Sequence, residues 1–192
     1  MIETTDLTHY SFDTLLRNGM PVHLRAIKPD DKQKLLEGYH RLSGKSMYFR
    51  FLGARHEITE KELKYLTEVD FLHHVALVAT IQSKGLEKII GVGRFVELQK
   101  STIKRVAEVA FAVDDKLQNL GIGTMLFEQL VIIAQSMGVS NLEADVLASN
   151  RSMLNIFKRS GFELETTDEG SVEHIEFCIA GQKLNCCRSD LN

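Results

Sequence analysis

Glu108 is the one carboxylate in an otherwise apolar run, Val106-Ala107-Glu108-Val109-Ala110-Phe111-Ala112-Val113. A carboxylate fixed on a strand can take a proton from a nucleophile. Soon after comes Gln118-Asn119-Leu120-Gly121-Ile122-Gly123-Thr124, which opens a long amphipathic stretch. A Gly-rich loop leading into a helix presents backbone N–H groups to an anion, and glycine lets the backbone approach phosphates closely. Strand, loop and helix in that order put the carboxylate within reach of whatever the anion carries. Further on, Asn150 heads a second helical segment that has Phe157 about two turns in and Gly161-Phe162 at its end.

The elements that must position these residues follow from hydrophobic period. Val22 to Ile27 alternates as a strand does, and Pro29-Asp30-Asp31 starts a helix whose apolar face is Leu35, Leu36, Tyr39 and Leu42, ended by Ser43-Gly44. Thr59 with Glu62 fits a capping box ahead of a short helix. Val75 to Ile81 reads as a buried strand, Ile89 to Leu98 as a second and Val106 to Val113 as a third, joined by short polar turns into an antiparallel meander. Gly121 to Met137 is a helix with Ile122, Leu126, Leu130, Ile133, Ala134 and Met137 on one stripe, closed by Gly138. Asn141 to Val146 is a strand reached by a crossover, hence a parallel or splayed neighbour of the third. Asn150 to Ser160 is a helix stopped by Gly161, and Phe162 to Glu165 with Val172 to Ala180 forms a closing hairpin. The expected fold is a single α/β domain: a mixed central sheet with an antiparallel N-terminal meander and flanking helices. Its parts are an N-terminal lead-in over 1–20, the catalytic domain over 21–181 and a polar C-terminal tail over 182–192.

Composition narrows the function classes. The chain has 192 residues, 44% hydrophobic and 26% charged, which suits one domain with a sizeable core. Its net charge of −3 gives no broad basic field for nucleic acid. No apolar run approaches the roughly 18–20 residues that span a bilayer. The start, Met1-Ile2-Glu3-Thr4-Thr5-Asp6, does not read as a signal peptide. The three cysteines, Cys178, Cys186 and Cys187, lack the spacing of a disulfide framework or metal site, and the expected compartment is a reducing cytoplasm. His56 and His73-His74 lack metal-type spacing and read as surface or core residues, and no metal is expected. Arg50, Arg55, Lys61 and Lys64 read as a solvated face.

The Gly-rich loop admits several readings. A phosphate loop for nucleotide triphosphates needs Gly-Lys-Ser/Thr, and here Gly123 is followed by Thr124-Met125. A dinucleotide fingerprint needs a third glycine where Leu126 stands, and opens a βαβ unit rather than following a meander. Two plain turn glycines are the remaining alternative.

Gln118-x-x-Gly121-x-Gly123 between a strand and a helix resembles the pyrophosphate loop of the GNAT family of N-acetyltransferases. The run from Ala148 to Phe162 resembles that family's later motif, in the family's order and separation. The resemblance extends from about Val22 to Ala180, and it implies a GNAT-like fold with acetyl-CoA as co-substrate. It implies that the backbone from Gln118 through Asn119, Leu120, Gly121, Ile122 and Gly123 to Thr124 holds the pyrophosphate. The splayed edge of Phe111, Ala112 and Val113 would pair with the pantetheine amides, and an N–H near Val113 would support the oxyanion. Asn150 would cap its helix or contact CoA, and Phe157 would pack beside the pantetheine arm or in the core.

The resemblance also implies a catalytic glutamate on the third strand, and Glu108 is the candidate. A lysine amine with a pKa of about 10.4 costs about 4.6 kcal/mol to deprotonate at pH 7, which a general base offsets. The sequence neighbours Val106, Ala107, Val109 and Ala110 suggest an apolar setting for that carboxylate. Where many members carry a tyrosine that protonates the departing thiolate, this chain has Phe157, leaving the protonation to solvent or another group. Leu42-Ser43, Ser46 to Leu52 and Glu62 to Asp70 look like the acetyltransferase domain of bacterial Pat-type protein lysine acetyltransferases. Members of that group often carry an acyl-CoA synthetase-like or cyclic-nucleotide domain, for which 192 residues leave no room. The acceptor implied is a protein lysine. A small-molecule amine and a non-catalytic acyl-CoA sensor are the alternatives, neither nucleic acid nor membrane is an expected partner, and a homo-oligomer is left open.

Overall fold

The computed structural model describes residues 6–52, 57–98, 104–182 and 184. Arg55 and His56, the first five residues, and Cys186 and Cys187 lie outside the described residues. The described residues build one eight-stranded mixed sheet. Its strands are β1 (Ser11–Leu15), β2 (Pro21–Ala26), β3 (His74–Ser83), β4 (Leu86–Leu98), β5 (Val106–Val113), β6 (Asn141–Leu147), β7 (Leu164–Glu169) and β8 (Val172–Cys178). The order across the sheet is β1-β2-β3-β4-β5-β6-β8-β7. Neighbours run antiparallel except β5 and β6, which are parallel because α4 (Ile122–Ser136) crosses over between them. The remaining helices among the described residues are α1 (Lys32–Arg41), α2 (Gly44–Phe51), α3 (Glu60–Thr67) and α5 (Arg151–Arg159). None is long and apolar enough to cross a membrane.

β3 is buried along most of its length because both faces of the sheet are covered there. Val75, Leu77 and Ala79 join the main core with α4, while Ala76 and Val78 join a smaller core with Ile27, Leu35 and Ile89. β3 turns into β4 through Lys84 (φ 53°) and Gly85 (φ 77°), two left-handed residues that match the twist of a tight hairpin. α4 lies against β4 so closely that a Cβ on Gly91 would sit 2.8 Å from Ile122 Cγ2, and one on Gly93 would sit 3.0 Å from Leu130 Cδ1. These glycines let the first three turns of α4 lie close against the sheet. The buried face of α4 is wider than a single stripe: Phe127 and Val131 are buried with the rest, since the helix also packs on β8 and α5.

The first strand of the closing hairpin runs Leu164–Glu169 rather than Phe162 to Glu165, and two further segments differ from the sequence reading. Ser11–Leu15 is an edge strand hydrogen-bonded to β2, so the division at residue 20 falls inside a hairpin. Its half-exposed alternation hid it, although Asn18-Gly19 (Gly19 φ 79°) marks the turn. Ser43 does not only end α1; its hydroxyl caps α2, accepting from Ser46 N–H at 3.2 Å.

Candidate active site

β5 and β6 are paired only over Val106–Glu108 and Asn141–Glu143, and then they part. The opening is the mouth of a groove of about 480 Å³, walled by β5, β6, α2 and the N-termini of α4 and α5. On β5 alternate residues point to opposite faces. Ala107, Val109 and Phe111 are buried in the main core, whereas Glu108 is exposed and lines the groove with Ala110 and Ala112. The apolar sequence neighbours of Glu108 are therefore not all its neighbours in space. Ala107 and Val109 project to the other side of the sheet.

Arg50, expected on a solvated face, is half-buried and lines the groove. Burial pushes its guanidinium below the ordinary value, with the Glu108 charge opposing that shift. Arg94 lies on the same face of the sheet and is pushed down to about 9 by burial and by the Arg50 charge. Lys61 and Lys64 are exposed, as expected. His74 is a core histidine, 3.2 Å from Arg94 Nη1 and with its ring tilted at 37° against Tyr65; burial and Arg94 push it down to about 4.

The Gly-rich loop has the backbone that an anion cradle needs. Asn119 (φ 64°) and Gly121 (φ 96°) are both left-handed, a bend that turns successive N–H groups toward one side. α2, α3 and α5 have side-chain N-caps, whereas α4 begins at Gly121 with none. Its first-turn N–H groups and positive dipole end open on the groove. Gly123 is needed for a second reason: a Cβ there would meet Ile156 Cδ1 of α5 at 2.9 Å. Gln118 folds back, donating from Nε2 to the Val113 carbonyl (3.2 Å) and to Ser46 Oγ (3.1 Å). Asp115 ties the same loop to α2, accepting from Ser43 N–H (2.8 Å), Ser43 Oγ (2.7 Å) and Ser46 Oγ (2.7 Å).

Of the residues singled out in the sequence, Glu108, Phe111, Ala112, Val113, Gln118, Asn119, Gly121, Ile122, Gly123, Thr124 and Asn150 line this one groove. Ile122 is almost wholly buried, with 1% of the residue exposed, at the floor of the loop. Leu120 does not line it; the side chain packs on the core and its carbonyl accepts from Arg17 N–H at 3.3 Å. Phe157 is also outside it. At 0% exposure it sits among Phe111, Phe127 and Phe177, with ring centroids 5.3–5.9 Å away, because an aromatic on that face of α5 is drawn into the core. Asn150 is a helix cap, its Oδ1 accepting from Met153 N–H at 3.3 Å.

Sequence reasoning missed Arg17, Asp115, Asp145 and Arg50, all of which line the groove. It also missed the carboxylates and the imidazole that strand register gathers beside Glu108. Glu108 pairs with Glu143, Glu143 with Glu176, and Asp145 with His174. Ligand atoms of Glu143, His174 and Glu176 lie within 4.8 Å of one another. The Arg17, Lys45, Arg50 and Arg159 cations line the groove too, so a polyanion with a flexible arm fits its charge and shape.

Comparison with known proteins accounts for this combination. The model of the acetyltransferase (GNAT) family matches residues 45–162. Acetyltransferase Pat of Mycolicibacterium smegmatis is 35% identical over 157 residues, covering 82% of this chain and 46% of that protein, so the chain spans about half the length of this relative. Acetyltransferase PA5475 of Pseudomonas aeruginosa is 26% identical over 160 residues, 83% of this chain and 84% of that protein. The crystal structure of the GNAT domain of S. lividans PAT superposes with a TM-score of 0.79 at 29% identity, over 88% of this chain and 96% of that one. The cAMP-binding acyltransferase from Mycobacterium smegmatis gives a TM-score of 0.60 at 30% identity over 88% of this chain and 47% of its own. With the strand, the loop, the helix and the parted sheet all in place, the chain belongs to the GNAT acetyltransferase family.

Proposed function

We propose that this chain transfers the acetyl group of acetyl-CoA to a primary amine by direct attack, with Glu108 as general base, and that the amine is a protein lysine. The observation that carries this reading is the position of Glu108, exposed in the groove at the last paired rung before β5 and β6 part. The residues present fit the co-substrate. The uncapped start of α4 and the bent loop from Gln118 to Thr124 suit the pyrophosphate, with Arg17 and Lys45 adding charge. The edge of Phe111, Ala112 and Val113, which has no strand partner on the β6 side, suits the pantetheine amides. That run leads from the loop toward Glu108, so the thioester end arrives beside the base.

Glu108 then takes the proton of the attacking amine, directly or through one water. A backbone N–H near Val113 supports the oxyanion. Arg50 lines the same groove and feels the Glu108 charge, which opposes the downward push of burial on its guanidinium. The likeness of Leu42 to Leu52 and Glu62 to Asp70 to Pat-type protein lysine acetyltransferases favours a protein acceptor, and a small amine is the alternative acceptor for the same chemistry. The test is an acetylation assay with acetyl-CoA and unstructured lysine peptides, comparing wild type with Glu108→Gln. Turnover in the wild type that the variant loses, at unchanged acetyl-CoA affinity, supports the reading; equal turnover in both removes Glu108 from the base role.

A further inference from the structure

Beside the groove lies a second, smaller cavity of about 70 Å³, enclosed by β4, β5 and the helices α1, α2 and α3. Arg50 and Ala112 line both, so the two spaces adjoin along the edge that is proposed to carry the pantetheine arm. The walls of the smaller cavity are mostly apolar, with Leu35, Tyr39, Phe51, Ile58, Leu66 and Val92 among them. Three guanidiniums also line it, those of Arg41, Arg50 and Arg94. Arg41 is matched by Asp114, 2.9 Å from its Nε.

The other two are not matched among the described residues. Arg94 is 6% exposed, and its Nη1 donates to the Leu66 carbonyl at 3.4 Å and lies 3.2 Å from His74 Nε2. Neither partner carries a negative charge. The charge that bears most on Arg94 is that of Arg50, which repels it. Arg50 in turn feels Glu108 through space, without a hydrogen bond between them. Buried charges are paired as a rule, because a guanidinium taken out of water with no counter-ion is strongly destabilising. Arg50, Arg94 and Glu108 together leave one positive charge over, and a single carboxylate on a bound molecule balances it.

We propose that this cavity seats an acyl chain ending in a carboxylate, carried on CoA as in malonyl-CoA or succinyl-CoA, with Arg94 and Arg50 holding the carboxylate. This rests on the reading of the groove given above and widens its donor beyond acetyl-CoA. The apolar walls beside the pantetheine edge suit methylenes that run from the thioester to the two cations. A free amino acid acceptor would also bring a carboxylate, but next to a charged amine that apolar walls do not suit. The transfer itself is unchanged. The amine nitrogen bonds to the acyl carbon and gives its proton to Glu108, which later releases it to solvent. The carbon–sulfur bond breaks with its electron pair going to sulfur, and solvent protonates the CoA thiolate. A lysine so modified loses a positive charge and gains a negative one.

The test is calorimetry with acetyl-CoA, butyryl-CoA and succinyl-CoA, and it needs no acceptor. Butyryl and succinyl chains have equal numbers of carbons and differ in the terminal carboxylate. Succinyl-CoA should bind the wild type about tenfold more tightly than butyryl-CoA, through charge-assisted hydrogen bonds to the guanidiniums. Arg94→Met should abolish that preference and leave acetyl-CoA affinity unchanged, without lowering the stability of the empty protein, since it removes a buried cation that has no counter-ion. Arg94→Lys, which keeps the charge, should keep part of the preference. Arg50→Gln, at a half-buried position, should also lower the preference, which covers the case in which Arg94→Met fails to fold. Equal affinity for butyryl-CoA and succinyl-CoA in a wild type that binds acetyl-CoA overturns the proposal and leaves the groove reading intact. So does a preference that survives both Arg94→Met and Arg50→Gln. If Arg94→Met instead loses binding of free lysine, with lysine methyl ester unaffected, the carboxylate belongs to the acceptor and the acyl assignment is overturned. A wild type that binds none of the three thioesters sinks the groove reading and this proposal with it.

Discussion

Glu108 and Glu143 are register partners on the final rung of the parallel β5–β6 ladder. The rung fixes where the sheet opens, and it therefore fixes Glu108, the proposed base, in the groove. Removing the carboxylate without changing its size should separate chemistry from binding. Glu108→Gln should lower kcat by ~10²–10⁴-fold, the usual contribution of a positioned general base, with acetyl-CoA affinity unchanged. Steady-state kinetics with calorimetry on the same sample checks both halves.

Gly121 carries the left-handed conformation at the entry to α4, with φ 96°. A side chain there costs about 1–2 kcal/mol of backbone strain. Relaxation of that strain would straighten the loop that is proposed to hold the pyrophosphate. Gly121→Ala should therefore lower stability by that amount and weaken acetyl-CoA binding about tenfold, which corresponds to roughly 1.4 kcal/mol. Denaturant titration and calorimetry measure the two effects.

Asn150 caps α5 and also lines the groove. Asn150→Ala should cost about 1 kcal/mol of stability, and Asn150→Ser, which can still accept from the Met153 N–H, should restore most of it. If the cap is the whole role, Ser also restores acetyl-CoA affinity. A stable Ser variant with weak affinity would show a direct contact with CoA.

His74 sets an acid limit on the fold. Its pKa falls from 6.5 to about 4 in the native chain, through burial and the Arg94 charge. The unfolded chain therefore binds a proton that the folded chain refuses between those values, and stability falls as pH drops from about 6.5 toward 4. The loss is roughly 3 kcal/mol at full extent. His174 acts in the opposite sense and in a different window: its raised pKa adds stability that is complete below 6.5 and fades as pH rises above it. Between pH 7 and pH 4.5, urea unfolding of the wild type should therefore show a stability loss that His74→Gln lacks in large part. Equal losses in the two proteins would contradict this assignment.

Much of this molecule can be read from local pattern. The strand from Val106 to Val113 has the boundaries its alternation predicts, the Thr59–Glu62 capping box forms as spelled, and Gly138 and Gly161 take φ 80° and 87° just beyond the ends of α4 and α5. The loop glycines were legible for the same reason, since the chemistry of a turn into a helix is written in consecutive residues. What stayed hidden depends on register and distance along the chain. Asp145 and His174 are 29 residues apart and meet only because β6 and β8 pair. Arg50 reads as one more surface charge until α2 is packed over β5. Phe157 shows that an aromatic at a motif position can face the core instead of the groove, because period alone does not fix rotation about the helix axis. β1 is an edge strand with a half-exposed pattern, where only the Asn18-Gly19 turn signals pairing.

The central claim is that the groove between β5 and β6 binds acetyl-CoA through the loop from Gln118 to Thr124. Calorimetric titration of the purified chain with acetyl-CoA, with NADH as control ligand, tests it most directly. The account predicts one-to-one binding of acetyl-CoA, weakened by Gly121→Ala, and no heat with NADH. A folded sample that binds no acetyl-CoA, or binds it equally well with Gly121→Ala, would contradict it.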